Sequence, residues 1–173
     1  MMIRKIQIKD AERFLSMLKQ LDRETKNMMF EPRERKTTIE EIESKIEKIN
    51  ISKSLMLIAE DHSNIVGFLS AERGFANRIK HSAYIVIGVL KDYRGKEIGS
   101  KLFEELEKWA LENTITRLGL TVMTHNERAV RLYKKMGFKI EGLKEKSLIV
   151  DGKYVDEYYM GKILIQTKGS GSF

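Results

Sequence analysis

The chain has 173 residues, of which 42% are hydrophobic, and this content is enough to build the buried core of one domain. It contains no cysteine, which excludes disulfides, thiolate zinc sites and cysteine nucleophiles from its own chemistry. The net charge of +7 favours an anionic partner, which could be nucleic acid, an acidic membrane surface or a phosphorylated cofactor.

The distribution of charged and apolar residues reduces the number of partners to be expected. The 25 acidic residues are interleaved with the basic ones, which is typical of a solvated surface, and we expect no nucleic-acid partner. The longest apolar stretch, residues 83–90, is too short to cross a bilayer, so we expect a cytoplasmic protein without a membrane partner. The three histidines lack metal-ligand spacing, and we predict no metal.

Periodicity in the first part of the chain predicts a strand, two helices and a hairpin. Ile3–Ile8 alternates apolar and polar residues, as a strand does, and Asp10 is expected to cap the helix that follows. A Thr-x-x-Glu capping box opens a second helix over Thr38–Asn50. Two apolar runs, Leu55–Glu60 and Ile65–Ala71, flank a polar turn and predict a β-hairpin.

The remaining elements alternate between extended and helical patterns. The nearly continuous apolar run His81–Leu90 predicts a central strand buried on both faces. After it we predict a helix from Gly99, a strand around residues 118–122, a helix over Asn126–Met136, and two strands, 138–150 and 154–165, that meet at an Asp-Gly turn. No linker interrupts the series, so we predict one mixed α/β domain over residues 1–167, followed by a flexible tail at 168–173.

A glycine-containing loop follows the predicted central strand and enters a helix. Its sequence, from Val89 to Leu102, is V-L-K-D-Y-R-G-K-E-I-G-S-K-L. Backbone N–H groups at a helix N-terminus, with about half a positive charge, suit a pyrophosphate. The loop matches neither the dinucleotide fingerprint nor the P-loop, and by itself it is weak evidence, with an ordinary glycine-bearing β-α turn as the alternative.

A second motif lies downstream, on the helix that begins at Asn126. It reads N-E-R-A-V-R-L-Y-K-K-M-G-F and is followed by Glu141-Gly142. Together, the two motifs resemble those of the GCN5-related N-acetyltransferase (GNAT) superfamily, whose loop reads Arg/Gln-x-x-Gly-x-Gly/Ala and whose helix reads Asn-x-x-Ala-x-x-Leu-Tyr-x-x-x-Gly-Phe. Arg94 and Gly99 match the loop pattern, whereas Glu97 stands where the family usually has glycine.

The resemblance implies a fold and a cofactor. The fold is a mixed, mostly antiparallel seven-stranded sheet flanked by about four helices, with central strands that splay apart. The cofactor is acetyl-CoA, whose pantetheine arm would lie along one central strand, beside Asn126, with Tyr133 near the sulfur. The residues implied to bind it are Ile87, Gly88, Val89, Arg94, Gly95, Lys96, Glu97, Ile98, Gly99, Ser100, Asn126 and Tyr133.

Acetyl transfer to an amine requires two proton movements. A substrate ammonium, with a pKa of about 10.4 if it resembles lysine, must lose a proton, and the departing thiolate, with a pKa of about 8.5, must gain one. Tyr133 is our candidate acid, although an aromatic residue filling the core is the alternative. The central strand carries no carboxylate, so we rank Glu72 first as the base, with His81 or Tyr84 as relays through water.

The amine acceptor is expected to be a small molecule or a peptide, and the sequence does not choose between them. The apolar residues Met29 and Phe30 interrupt a charged loop and, with His81 and Tyr84, are predicted to bind it, although packing onto the core would also explain the two apolar residues. An acyl-CoA-binding regulator and a basic nucleic-acid-binding module are the alternative functions. Homodimerisation is common in such families and is an expectation here.

Glu97 is the one clear departure from the loop pattern. A positive φ would strain a non-glycine residue there, and its carboxylate would lie near the pyrophosphate. We expect instead that φ is negative and that the side chain points to water, where it complements the helix dipole. Replacing Glu97 with glycine should then change acetyl-CoA affinity by less than about threefold.

Overall fold

The computed structural model describes residues 1–165, so the predicted tail at 168–173 lies outside the described residues. The seven strands are β1 (Met2–Lys5), β2 (Leu55–Asp61), β3 (Asn64–Arg73), β4 (Ser82–Val89), β5 (Arg117–Met123), β6 (Lys139–Val150) and β7 (Lys153–Ile163). The four longer helices are α1 (Ala11–Glu24), α2 (Ile39–Ile51), α3 (Ile98–Glu112) and α4 (Glu127–Lys135). The predicted order of elements is confirmed.

All seven strands form one sheet, in the order β1-β2-β3-β4-β5-β7-β6. Every neighbouring pair is antiparallel except β4 and β5, which are parallel. These two strands pair only at Ser82 with Arg117, Ala83 with Leu118 and Tyr84 with Gly119. Beyond Tyr84 they diverge, which confirms the splayed central strands and leaves a gap in the middle of the sheet.

The sheet separates two hydrophobic cores because successive side chains of a strand point to opposite faces. In β2, Leu55 and Leu57 belong to the core beneath α3, whereas Met56 and Ile58 belong to the core beneath α1 and α2. Full burial of an aliphatic or aromatic side chain contributes roughly 1.5–3 kcal/mol each. These two layers of helices therefore hold the strands in place on either side of the gap.

The N-terminus departs from the sequence prediction. The first strand ends at Lys5, and Ile8–Asp10 forms a short 3-10 helix instead of extending the strand. Asp10 does not cap α1 with its side chain; it is fully buried and accepts hydrogen bonds from Arg4 (2.7 and 2.9 Å), Arg13 (2.5 Å) and the Gln7 N–H (2.8 Å). The Arg4 guanidinium, above all, holds the pKa of Asp10 well below its ordinary value.

The predicted capping box at the start of α2 is confirmed. The Thr38 hydroxyl accepts from the Glu41 N–H at 3.2 Å, and the Glu41 carboxylate accepts from the Thr38 N–H at 2.9 Å. Two otherwise unpaired backbone groups are satisfied in this way, so the local sequence fixes where the helix begins.

The prediction that β4 is buried on both faces is wrong. Ala83 and Ile85 are buried, but on the opposite face Tyr84 is 47% exposed and Val86 is 38% exposed. The cause is the divergence of β4 and β5, which opens one side of the strand to a cavity. Among the described residues, no helix is sufficiently long and apolar to pass through a bilayer.

Candidate active site

A cavity of about 530 Å³ lies where β4 and β5 diverge. Its wall is formed by the loop between α1 and α2, the diverging parts of β4 and β5, the loop that enters α3, one face of α4 and the β6-β7 hairpin. Pockets of this size hold small ligands and cofactors. The cavity is therefore the candidate site for the cofactor and the amine.

The residues predicted to bind the cofactor line this cavity, with the exception of Lys96. The loop after β4 is closed by the Arg94 side chain, whose Nε donates to the Val89 carbonyl at 3.0 Å. Gly95 turns the chain with a φ of +79°, and α3 then begins at Ile98. The Lys96 ammonium lies 4.8 Å from the centre of the Tyr93 ring, outside the lining.

The expectation of a negative φ at Glu97 is wrong. The residue has φ +60° and ψ 11°, in the left-handed region, and it precedes the first residue of α3. Its side chain is exposed, as expected, but its backbone takes the conformation that glycine adopts without a steric penalty. The left-handed geometry costs a residue with a Cβ about 1 kcal/mol.

Asn126 holds the start of α4 while it lines the cavity. Its Oδ1 accepts a hydrogen bond from the Ala129 N–H at 3.4 Å, which is long for such a contact, and the side chain is a weak N-cap. Arg128 also lines the cavity, and its Nη2 lies 3.3 Å from where a Cβ on Gly95 would sit. Sequence analysis did not single out Arg128, because no spacing rule connects it to the loop.

Tyr133 lies two turns along α4 from Asn126 and is 7% exposed. Its ring packs edge-on against Phe103, with centroids 5.8 Å apart, and near Phe138 at 6.1 Å. Burial raises the pKa of Tyr133 above its ordinary value, and the nearby Tyr84 raises it further. The hydroxyl therefore keeps its proton throughout the neutral range. The ring fills part of the core, while the residue also forms part of the cavity wall.

Tyr84 reaches across the gap between the central strands. Its hydroxyl and the Thr121 Oγ1 are 2.8 Å apart, so a hydrogen bond joins β4 to β5 just beyond their last backbone pair. Both residues line the cavity. This bond marks the narrow end of the gap.

The other predicted acceptor residues are only partly brought together. Met29 lines the cavity and is 73% exposed. Phe30 does not line it, because its ring packs under the Arg35 guanidinium, 4.4 Å away. His81 is exposed at the start of β4, also outside the lining, so the predictions for Phe30 and His81 are not supported by their positions.

The predicted base is not in the cavity either. Glu72 pairs with Tyr84 in the β3-β4 register, but its side chain is exposed and does not contribute to the cavity wall. Among the described residues, the wall contains two carboxylates, Glu97 and Glu157. Glu157 lies on β7, and its side chain is 13% exposed. Sequence analysis missed it because no motif surrounds it; a carboxylate within a strand beside two tyrosines was the available signal.

A metal centre is not evident in the part of the chain that the structure describes, residues 1–165, where no three His, Cys, Asp or Glu side chains group closely enough to hold an ion. The polar groups of the cavity are instead backbone amides, hydroxyls, two amide side chains, basic side chains and two carboxylates. This donor set suits an organic anion at one end and a polar or cationic group at the other.

Comparison with known proteins identifies the family to which this chain belongs. The model of the acetyltransferase (GNAT) family matches residues 16–138. The chain therefore belongs to this family and is an acetyltransferase.

Individual relatives support the assignment. The L-amino acid N-acetyltransferase AaaT of Escherichia coli K12 is 32% identical over 111 residues, which cover 62% of this chain and 67% of that protein. The crystal structure of a GNAT-family acetyltransferase from Streptococcus pneumoniae is 33% identical, with a TM-score of 0.90 over 95% of this chain and 99% of that one. The structure of yncA from Salmonella typhimurium with acetyl-CoA shares the fold, with 16% identity and a TM-score of 0.86 over 100% of this chain and 99% of that one.

Proposed function

We propose that this acetyltransferase transfers the acetyl group of acetyl-CoA to a primary amine by direct attack within a ternary complex. The observation that carries the proposal is one continuous cavity, which joins the N-terminus of α3, the gap between β4 and β5, and the loop between α1 and α2. A cavity that is open to both regions can hold a thioester and an amine at the same time, which direct attack requires.

The phosphate end of the cavity fits acetyl-CoA. Backbone N–H groups of the loop that enters α3 are available to an anion, and the helix N-terminus adds about half a positive charge. Arg94 and Arg128 line the same end and supply full positive charges. The main chain of Ile87, Gly88 and Val89, beyond the last pair of β4 and β5, is where we place the pantetheine arm.

The reaction consumes an ammonium and releases an amide, a thiol and one proton. One proton leaves the nitrogen before attack, and a second leaves it after the C–N bond has formed. The C–S bond then breaks, and the sulfur takes up a proton. We assign this last donation to Tyr133, because it lines the cavity and its hydroxyl is a proton donor at neutral pH.

The relatives suggest which amines to assay first. One is named as an L-amino acid N-acetyltransferase, and a protein of the same fold is named as a ribosomal-protein-alanine N-acetyltransferase. Free amino acids and peptides with an N-terminal alanine should therefore head the panel, followed by polyamines and lysine-containing peptides. The readout is release of free CoA.

Replacement of Tyr133 with phenylalanine tests the acid. We expect kcat to fall roughly 10²-fold to 10⁴-fold while the calorimetric affinity for acetyl-CoA stays unchanged, because only one hydroxyl is lost. Tyr154→Phe makes the same chemical change on an exposed residue outside the cavity and should leave kcat unaltered.

Two results would contradict these assignments. An unchanged kcat for Tyr133→Phe with saturating substrates would make Tyr133 a packing residue. Tight acetyl-CoA binding without CoA release on any amine would favour the second candidate, an acyl-CoA-binding regulator, for which the strained backbone at Glu97 is the supporting observation.

A further inference from the structure

An irregularity in β6 lies opposite the β7 carboxylate that lines the cavity. Lys144 pairs with Glu157 and Leu148 pairs with Val155, so residues 145–147 of β6 are opposed by Asp156 alone. The bulge requires a positive φ of 48° at Lys146. Bulges of this kind occur often beside active sites, where they change the direction of a side chain.

Side-chain hydrogen bonds hold the bulge in one conformation. The Lys146 N–H donates to the Asp156 Oδ1 at 2.8 Å, and the Ser147 hydroxyl donates to the Glu157 Oε2. The Asp156 carbonyl accepts from the Thr124 N–H at 3.0 Å, which ties the hairpin to the end of β5. The Glu157 carboxylate is therefore fixed relative to the strand that forms the other side of the gap.

One oxygen of Glu157 is left for a ligand. Both polar contacts of its carboxylate in the described residues fall on Oε2, from the Ser147 hydroxyl and from the Lys144 ammonium at 4.0 Å. Lys144 is 46% exposed and does not line the cavity, so water weakens its attraction. The wall of the same cavity also includes the apolar residues Met28, Met29 and Leu148.

We infer that Glu157 binds the acceptor amine through Oε1 and takes its first proton, on the proposed function that this site acetylates amines. The ammonium N–H transfers its proton to the carboxylate, the nitrogen lone pair forms the C–N bond, and the C–S bond breaks with its electron pair on sulfur. The second N–H proton replaces the one that Tyr133 gives to sulfur. Glu157 then releases its proton to water, so all charges and atoms balance.

Glu157→Gln tests this role because it keeps the size of the side chain and removes its charge and basicity. At pH 7 we expect kcat/KM for the best amine of the panel to fall roughly 10²-fold to 10⁴-fold. The difference in kcat/KM between Glu157→Gln and wild type should shrink as the pH approaches the pKa of that amine. A large fraction of the amine is then already neutral in solution and needs no base. Among the described residues, the charged group nearest the Glu157 carboxylate is the Lys144 ammonium, at 4.0 Å, so a Lys144→Gln profile is measured beside it.

The matched control is Glu145→Gln, an equal change of charge on an exposed residue of the same bulge that does not line the cavity. It should retain wild-type kcat/KM. Thermal melts and calorimetric titration with acetyl-CoA show whether Glu157→Gln is folded and still binds its first substrate. Should Glu157→Gln fail to fold, Ser147→Ala keeps the carboxylate but releases it, with an expected loss in kcat of about fivefold.

The outcomes separate this inference from the proposed function. A wild-type protein that acetylates amines while Glu157→Gln stays within threefold of it at all pH values would overturn the role of Glu157 alone. A deficit that does not change with pH would do the same, because it would indicate a structural contribution. A wild-type protein that binds acetyl-CoA but acetylates no amine would refute the proposed function and this inference with it.

Discussion

At Glu97 the backbone adopts a left-handed conformation that a glycine would adopt without strain. The loop must reverse direction before α3 begins, so the strain follows from the geometry of the turn and not from the identity of the side chain. The exposed carboxylate also lies on the wall of the cavity where we place anionic phosphates. The Glu97 backbone is therefore strained in the folded protein, and its carboxylate lies where it would repel a bound phosphate.

Glu97→Gly should stabilise the free protein by about 1 kcal/mol because it removes the left-handed strain. For a chain of this length the change corresponds to a rise in melting temperature of about 2–4 °C. Lys96→Gly is the control, since its φ is not positive and glycine there only adds freedom to the unfolded chain. A melting temperature that falls for both variants would show that the turn is not strained.

At the scale of single residues, the local motif pointed to side chains that lie on the cavity wall, and their roles stay predictions. Asn126 and Tyr133 belong to one helical motif, and the period of the helix places both on the cavity wall. Glu157 depends on a bulge and on pairing between distant strands, which no local pattern encodes. Glu72 lies near the end of the strand that precedes the central one, but its exposed side chain is outside the cavity wall.

Among the elements, β1, α1 and β2 are joined by a small charge network. The buried Asp10 carboxylate accepts from Arg4 and Arg13, and both arginines also contact Glu60 on β2. Hydrogen bonds from Arg4 in particular lower the pKa of Asp10 in the folded state. The ionised form therefore contributes stability above the unfolded-state pKa of about 3.9, and this contribution is lost as the pH falls below it.

Asp10→Asn should lower the free energy of unfolding at pH 7 by about 3 kcal/mol, the lower end for a buried pair, because both arginines remain partly hydrated. The difference from wild type should shrink as the pH falls below about 4, because the Asp10 carboxylate of the unfolded chain then binds a proton while that of the folded protein stays ionised. Urea unfolding from pH 7 down to about pH 2 measures the loss of unfolding free energy and its dependence on pH. Asp151→Asn, which removes a surface ion pair with Lys26, should cost less than about 1 kcal/mol, and a pH-independent penalty at Asp10 would contradict the charge argument.

Some element boundaries are set by neighbouring residues and could be predicted, whereas strand burial depends on residues far apart in the chain. The capping box of α2 and the Asp-Gly turn between β6 and β7 are set by neighbouring residues, and both were predicted. The apolar run of β4 suggested burial on both faces, but an apolar strand also suits a cavity wall. Sequence periodicity alone does not distinguish a missing neighbour strand from a packed one.

On the scale of the whole molecule, the sequence predicted the number and order of the elements but not how the strands pair. β7 lies between β5 and β6, an arrangement that depends on contacts between residues far apart in the chain. The splay of β4 and β5 came from resemblance to a family, because nothing in the local sequence of either strand marks where their pairing stops. The cavity follows from that single feature.

The three residue pairs that join β4 to β5 also govern how the backbone exchanges its hydrogens with water. Beyond Tyr84 and Gly119 the facing edges of the two strands have no strand partner within residues 1–165, so alternate amide hydrogens there should exchange with deuterium much faster than those in the β2-β3 pair. Acetyl-CoA bound in the gap should slow exchange at these edges and leave β2-β3 unaffected. Peptide-resolved exchange with and without acetyl-CoA would measure this, and equal slowing everywhere would show that the two halves of the sheet open as one.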